Sequence, residues 1–386
     1  MDFDVIIVGA GLAGLALAVA LKRSRLSVAV VESRPPVKLP PEVWDARIYA
    51  ISPANQRFLA DIGAWQHLQH ERIEPVRKMA IFGDGGGELA FSAYDAGVSE
   101  LAYMVESSNL QQELWETVRR LGNVSLFCPA QAMSLAISAN QVRLGLADAQ
   151  SLTGRLVVAA DGAASWTRQA AGIEVTFRSY EQMAVVANFA TEKPHRHVAY
   201  QWFRDDGILA YLPLPGNLIS IVWSTSTEHA EALRQQDAPQ FCDSVAQAAG
   251  YKLGKLALST APACFPLRFM RAPRMVAPRL ALIGDAAHVI HPLSGHGINL
   301  GFQDAQQLAA ILMAKPEHID CGELAWLRRY ERARKEEVLA LQSTTDGLQK
   351  LFAGQSRPLA LARNFGLSFT NHLPFIKDIL IRYAMG

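Results

Sequence analysis

Residues 5–21 read VIIVGAGLAGLALAVAL, seventeen positions with no charge and no strongly polar side chain. A helix crossing a hydrocarbon core needs about 20 apolar residues; this run is shorter and holds three glycines. A secretory signal carries basic residues ahead of its apolar core, whereas here Asp2 and Asp4 lead and Lys22, Arg23 and Arg25 follow. The run divides instead into a buried strand over 5–8, a tight turn, and a helix from about Leu12. The turn is G-x-G-x-x-G. Gly9 permits the sharp bend, Gly11 lets backbone approach a pyrophosphate, and Gly14 lets helix pack on strand. Leu12 and Ala13 fall in the first helical turn, where free N–H groups and the positive dipole end favour phosphate. A second strand, over 27–31, ends at Glu32, within the interval of about 20 residues usual for an acid that binds a ribose. Strand, glycines, helix, strand and acid in register predict a nucleotide cradle.

The chain of 386 residues is long enough for two intertwined domains. Half of it is hydrophobic and 19% is charged, which argues against extensive disorder. A formal net charge of +1, without a dense basic stripe, gives no electrostatic case for nucleic acid. Cys128, Cys242, Cys264 and Cys321 lie far apart with no CxxC. Neither a disulfide framework nor a zinc site is expected, and the setting is read as reducing and cytoplasmic.

Downstream, MAIFGDGGGELAF (79–91) reads as two strands about a glycine-rich turn, 110–121 as a helix, and 134–162 as three antiparallel strands with turns at Asn140 and Asp148. ILAYLPLPGNLISIVWS (208–224) reads as two strands about a Pro-Gly turn. RLALIGDAAH (279–288) is again a buried strand ending in Gly-Asp, and the chain beyond about Ile298 is mostly helical. The order is informative. A strand ending in Gly-Asp returns about 270 residues after the opening glycines, with sheet-rich sequence between, whereas in a simple NAD-binding domain the βαβ units follow closely. A split nucleotide domain with a β-rich insertion favours a flavin protein over a plain dehydrogenase; Glu32 alone cannot choose, because FAD and NAD share the ribose. The expected class is α/β: a split Rossmann-like FAD-binding domain (1–75, 98–178 and 272–325), an inserted β-rich substrate domain (76–97 and 179–271), and C-terminal helices (326–386).

In RLALIGDAAHVIHPLSGHGINLGFQDA (279–305), Asp285 falls at the carboxyl end of a strand, where α/β sheets place ligands. Its carboxylate either accepts from ribityl hydroxyls or caps a helix. Gly295 and Gly297 allow close backbone approach to a flavin ring. The helix starting near Ile298 aims its positive end at the same place, which suits an anionic reduced flavin. His288, His291 and His296 match no metal-ligand spacing, and Pro292 interrupts any helix that would align them. LSGHG lacks the first glycine of a nucleophile elbow, so Ser294 is not read as a nucleophile. In DGAASWTR (161–168), Asp161 either closes the phosphate end of the cofactor site or caps the next helix and pairs with Arg168. Arg47 either reaches the pyrophosphate or pairs with Asp45.

GAGLAG, DARIYAIS (45–52), DGAASWTR and GDAAHVIHPLSGHGINLGFQDA, in this order, resemble the para-hydroxybenzoate-hydroxylase-like FAD monooxygenases. The closer likeness is to the ubiquinone-biosynthesis hydroxylases among them, supported by FRDDGILAYLPLP (203–215), FPLRFMRAPRMVAPR (265–279) and the terminal Ala-Met-Gly. The resemblance implies Gly9, Gly11, Gly14 and Glu32 at the adenosine and pyrophosphate, and Arg47 and Gln111 along the cofactor. It also implies Asp285 on the ribityl chain and Pro292 to Asn299, with Gly297 and Ile298 among them, at the flavin ring. Two departures stand out: Ser107 and Ser108 replace the family's Asn-Arg pair after Glu106, and His296 replaces a glutamine.

The chemistry so implied is hydroxylation of the aromatic ring of a prenylated ubiquinone precursor through a flavin hydroperoxide, with dioxygen as co-substrate and NAD(P)H or a protein reductant as electron donor. The alternatives are a hydroxylase of another aromatic metabolite on the same fold and a non-catalytic FAD-binding member of a quinone-synthesis complex. The substrate wall is expected from Trp202, Phe203, Leu212, Pro213 and Trp223, with Tyr211 as polar contact to the phenol and the backbone of Pro292 beside the reacting ring. Expected partners are the prenylated phenol or quinone precursor and other quinone-biosynthesis enzymes, with room for a homo-oligomer. Over 367–386, Leu373, Ile376, Leu380 and Tyr383 share helical spacing, a face suited either to its own domain or to peripheral contact with a membrane.

Overall fold

The computed structural model describes residues 2–290 and 297–353. The opening run folds into strand Phe3–Val8 and helix Leu12–Ala20. The strand lies between Val28–Val31 and Ser151–Ala159, parallel to both. Val124–Phe127 extends the parallel array beyond Val28–Val31, and Leu280–Leu282 extends it beyond Ser151–Ala159. Strands covered on both faces read as unbroken apolar runs, which is why Val5 to Val8 and Val28 to Val31 are all buried. One nucleotide-type sheet is thus assembled from segments spread over most of the chain. The three antiparallel strands expected over 134–162 are Ala132–Ile137, Val142–Leu146 and Ser151–Ala159.

Helix Leu12–Ala20 is apolar nearly all round because it is core. It packs against helices Ser107–Arg119 and Gly297–Met313. Two of the three glycines are dictated by contact. Gly9 has φ +104°, and a Cβ there would stand 2.5 Å from Ala160 O; a Cβ on Gly14 would stand 2.1 Å from Gly9 O. No helix among the described residues is long and apolar enough to cross a membrane.

Among the described residues the second large sheet has nine strands. Its centre is Thr176–Thr191, Leu218–Ser226, Gly207–Leu214 and Val198–Arg204, paired antiparallel, with Lys78–Phe82 joining Val198–Arg204 in parallel. One face packs on helices Thr227–Gln235 and Ala238–Ala248 through Phe189, Tyr211, Trp223, Phe241 and Val245. A three-stranded sheet, Ile48–Ile51, Ala102–Glu106 and Glu74–Val76, meets the second sheet through Val76, Met104, Ala199 and Leu214. The expected roles of Pro292, Gly295, His291, His296 and Ser294, and of the 367–386 face, fall outside the described residues.

Candidate functional site

The Gly284-Asp285 turn, the Asp161-Gly162 turn and the glycine-rich turn meet at one place. A Cβ on Gly284 (φ +58°) would lie 3.3 Å from the Ala13 Cβ, and one on Gly301 would lie 3.4 Å from it. Small residues therefore let the 284–285 turn and helix Gly297–Met313 close onto the first turn of Leu12–Ala20. Arg168 ties the third turn in: its guanidinium donates to Ala286 O at 2.9 Å and Ala163 O at 3.0 Å. It binds carbonyls and no ion pair joins it to Asp161, which corrects the pairing considered for these two residues. Asp161 instead accepts from Ser165 Oγ and from the Thr167 N–H and hydroxyl, so it braces the start of helix Trp166–Ala170, whose N-cap is Ser165, while still lining the cavity.

A single cavity of about 1260 Å³ opens over this junction and runs to the second sheet. Gly9, Gly11, Leu12, Ala13, Glu32, Arg47, Gln111, Asp161, Asp285, Gly297, Ile298 and Asn299 all line it. Gly14 does not, being packed against Gly9. At Gly11, the helix N-cap, no side chain caps the helix and a Cβ would meet nothing within 4 Å. An anion-accepting helix end facing open space, braced by two glycines that tolerate no Cβ, fits a dinucleotide pyrophosphate. Glu32 is held at the edge by the Ala10 N–H, 2.7 Å from its Oε2. Gln111 donates to Ala10 O at 3.1 Å, so its amide braces the turn that it lines.

Asp285 is exposed to the cavity, with buried Gly284 and Ala286 on either side of it. Burial pushes its carboxyl above the usual range, against the pull of His288 and Arg47. Arg47 lines the same stretch with its guanidinium over the Phe265 ring, 5.1 Å from the centroid. Its link to Asp45 is through the backbone N–H alone, at 2.9 Å, so the side-chain pair considered for Arg47 does not form. Asn299 donates to Ala50 O at 2.7 Å and accepts from Ser52 N–H at 2.9 Å. That amide fixes helix Gly297–Met313 to the 50–52 segment.

Sequence reasoning missed the supports. Asp304, 0% exposed, accepts from His288 Nε2 (2.7 Å), Arg334 Nε (2.8 Å) and the Gly284 N–H (2.9 Å). Burial alone would raise its carboxyl, but His288 and Arg334 together hold it below the ordinary value. This buried bridge anchors the residue next to Asp285. Glu106, read only as the start of a departure from family pattern, accepts from Arg72 Nε and Nη2 at 2.6 and 2.8 Å and from the Asp45 N–H at 2.7 Å. Asp45 in turn orients Arg47 and caps Ser108. Tyr49 lines the cavity, and burial raises its phenol.

The expected substrate wall needs the largest correction. Leu212 lines the cavity, but Trp202, Phe203, Tyr211, Pro213 and Trp223 do not. Strand residues alternate between faces. Leu212, with Ala210 and Ile208, faces the cavity, while Tyr211, Leu209 and Trp223 belong to the helix-covered core. Tyr211 is 1% exposed and donates to Val245 O at 2.8 Å. It cannot meet a phenol in the cavity. Tyr211→Phe is therefore expected to lower stability by about 1 kcal/mol, seen in urea unfolding, and to leave turnover unchanged.

The chain matches the family described as FAD binding domain over residues 2–343. It is 36% identical to the ubiquinone hydroxylase UbiL of Rhodospirillum rubrum over 386 residues, covering 99% of this chain and 89% of that protein. It is 33% identical to the 3-demethoxyubiquinol 3-hydroxylase of Escherichia coli, covering 99% and 98%. Its fold is similar to that of p-nitrophenol 4-monooxygenase PnpA from Pseudomonas putida, with a TM-score of 0.82, 18% identity, and 99% and 98% of the two chains covered.

Proposed function

The chain belongs to the FAD binding domain family, and from that premise we propose that it is an FAD-dependent monooxygenase that hydroxylates the aromatic ring of a prenylated ubiquinone precursor. The observation that carries this reading is the continuity of one cavity from the Gly11 helix end, past Asp285, to the apolar wall of the second sheet. Bound FAD supplies the redox chemistry, with NAD(P)H as electron donor and dioxygen as co-substrate. The chain supplies placement. The open N–H groups at the start of Leu12–Ala20 would hold the pyrophosphate, and Glu32, whose Oε1 already accepts from Ser33 Oγ and the Arg34 N–H but whose Oε2 accepts only from the Ala10 N–H, would take the ribose through Oε2. Asp285 accepts from the ribityl hydroxyls, and the N-terminus of Gly297–Met313 presents its positive end to negative charge on the ring.

Ile208, Leu212 and Val222 give the far end of the cavity an apolar wall, which excludes water and accepts an aromatic ring. In this reading 1–75, 98–178 and 272–325 form the cofactor half, 76–97 and 179–271 the substrate half, and 326–386 a C-terminal region. A prenylated substrate resides in lipid, which supports peripheral membrane contact and hand-over among quinone-biosynthesis enzymes. Oxygen uptake by the FAD-loaded protein with NADPH tests the proposal. Uptake that rises on adding 2-prenyl-6-methoxyphenol, with a hydroxylated product, is expected; FAD binding with no substrate-dependent uptake contradicts catalysis.

A further inference from the structure

Between strands Val28–Val31 and Ile48–Ile51 the chain runs through 32–47 with neither helix nor strand. A connection of that length without structure of its own is uncommon, and inside a compact fold it is usually a lid or a binding loop. Residues 33–37 line the cavity together with 130–133, at the end that begins beside Glu32. Val37 is nevertheless 74% exposed, so the wall there is a single thickness of chain. Pro35, Pro36, Pro40 and Pro41 each fix φ and remove a backbone donor. The segment is therefore stiff and bonds little to its surroundings. Among the described residues, two hydrogen bonds tie 35–44 to the rest of the chain, and both come from Arg72.

Arg72 Nη1 donates to Pro41 O at 2.6 Å and Nη2 to Val43 O at 2.9 Å. The other edge of the guanidinium is taken by Glu106, whose side chain is 2% exposed. Its central carbon lies 4.0 Å from the Trp44 ring centroid. Trp44 packs against the cluster that holds Val76 and Met104, and the Asp45 N–H is held by Glu106. The 44–45 end is thus anchored, while 35–41 hangs on one cation. A guanidinium has the planar fork to serve a carboxylate and two carbonyls at once; an ammonium does not. We propose that 33–44 is a strap that swings aside to admit the adenosine end of FAD and closes over it, with Arg72 as the positioning residue that latches it. This rests on the flavin reading of the cavity and adds how the cofactor enters and is kept. Arg72 does not itself line the cavity; it acts through the strap.

The test is stopped-flow uptake of FAD by the FAD-free chain, and its release from the loaded chain, for the native protein and Arg72→Lys. The lysine keeps a positive charge opposite Glu106 but cannot serve both carbonyls as well. Without its latch the strap stands open more of the time, so uptake and release should both quicken. The expected change is about tenfold in each rate, equivalent to 1.4 kcal/mol, with affinity kept within about threefold. Native rates in both directions, or slower uptake with faster release as ordinary damage to the site would give, would overturn the latch. Should Arg72→Lys fail to show a urea unfolding transition, trypsin acting on the native chain decides. Cutting after Lys38 requires the strap to lift away, and excess FAD should slow that cut about tenfold or more. Equal cutting with and without bound FAD would overturn the strap and leave the flavin site standing. A native chain that takes up no FAD ends both readings.

Discussion

Asp304→Asn is expected to lower the stability of the folded chain by about 3–5 kcal/mol, because removing one member of a buried ionic set leaves the others without compensation. The carboxylate is fully enclosed and serves His288, Arg334 and the Gly284 N–H at once. Arg334, itself buried, keeps Glu337 and Gln303 but loses its principal counter-charge. Urea unfolding of the FAD-free protein measures the loss. The pH dependence has a definite sign. The folded-state pKa of Asp304 is depressed, so its contribution is present above the unfolded value near ~3.9 and drains away as pH falls through the folded one. The native chain should therefore lose more stability than Asp304→Asn does as pH falls below about pH 4. Equal stability of the two proteins at neutral pH would refute the ionised bridge. FAD affinity should fall as well, since the Gly284 N–H holds the turn carrying Asp285.

Gly14→Ala and Gly11→Ala should fail in opposite ways. At Gly14 the new methyl would sit 2.1 Å from Gly9 O and 3.1 Å from the Ala160 Cβ. Neither neighbour is a flexible side-chain end, so helix must part from strand. Overpacking of this kind costs about 1–3 kcal/mol or more, with FAD uptake lost alongside stability. At Gly11 the methyl meets open cavity, so FAD-free stability should stay within about 0.5 kcal/mol. FAD affinity should nonetheless drop by about tenfold or more, at least 1.4 kcal/mol, because the methyl occupies the space where backbone approaches phosphate. A Gly11→Ala protein binding FAD as tightly as the native one would move the pyrophosphate elsewhere.

The contrast between these glycines was legible in the sequence because it comes from a local motif: one turn, one helix start, one acid about 20 residues on. The return of a Gly-Asp strand at 284–285 was legible for a similar reason, and Leu280–Leu282 does join the sheet of the opening strand through Ser151–Ala159. The face of a strand with two apolar sides was not legible. In ILAYLPL both parities are hydrophobic, and a one-residue shift exchanges the faces. The large aromatics Trp202, Tyr211 and Trp223 therefore looked like the substrate wall, whereas they form the core beneath the helices, and the smaller Ala210 and Val222 leave the space that a ligand needs. The Asp304 bridge and the Arg72–Glu106 clamp were hidden for another reason. Their partners lie 16 to 34 residues apart in sequence, and no periodicity connects charges that meet only after folding.

The most direct measurement of the central claim, that two distant segments grip one flavin, is equilibrium titration of the FAD-free chain with FAD, alone and as Gly11→Ala and Asp285→Asn. One FAD bound per native chain, with affinity reduced by each substitution on its own, is the expected result. A native chain that stays colourless in excess FAD, or an Asp285→Asn protein with undiminished affinity, would contradict it.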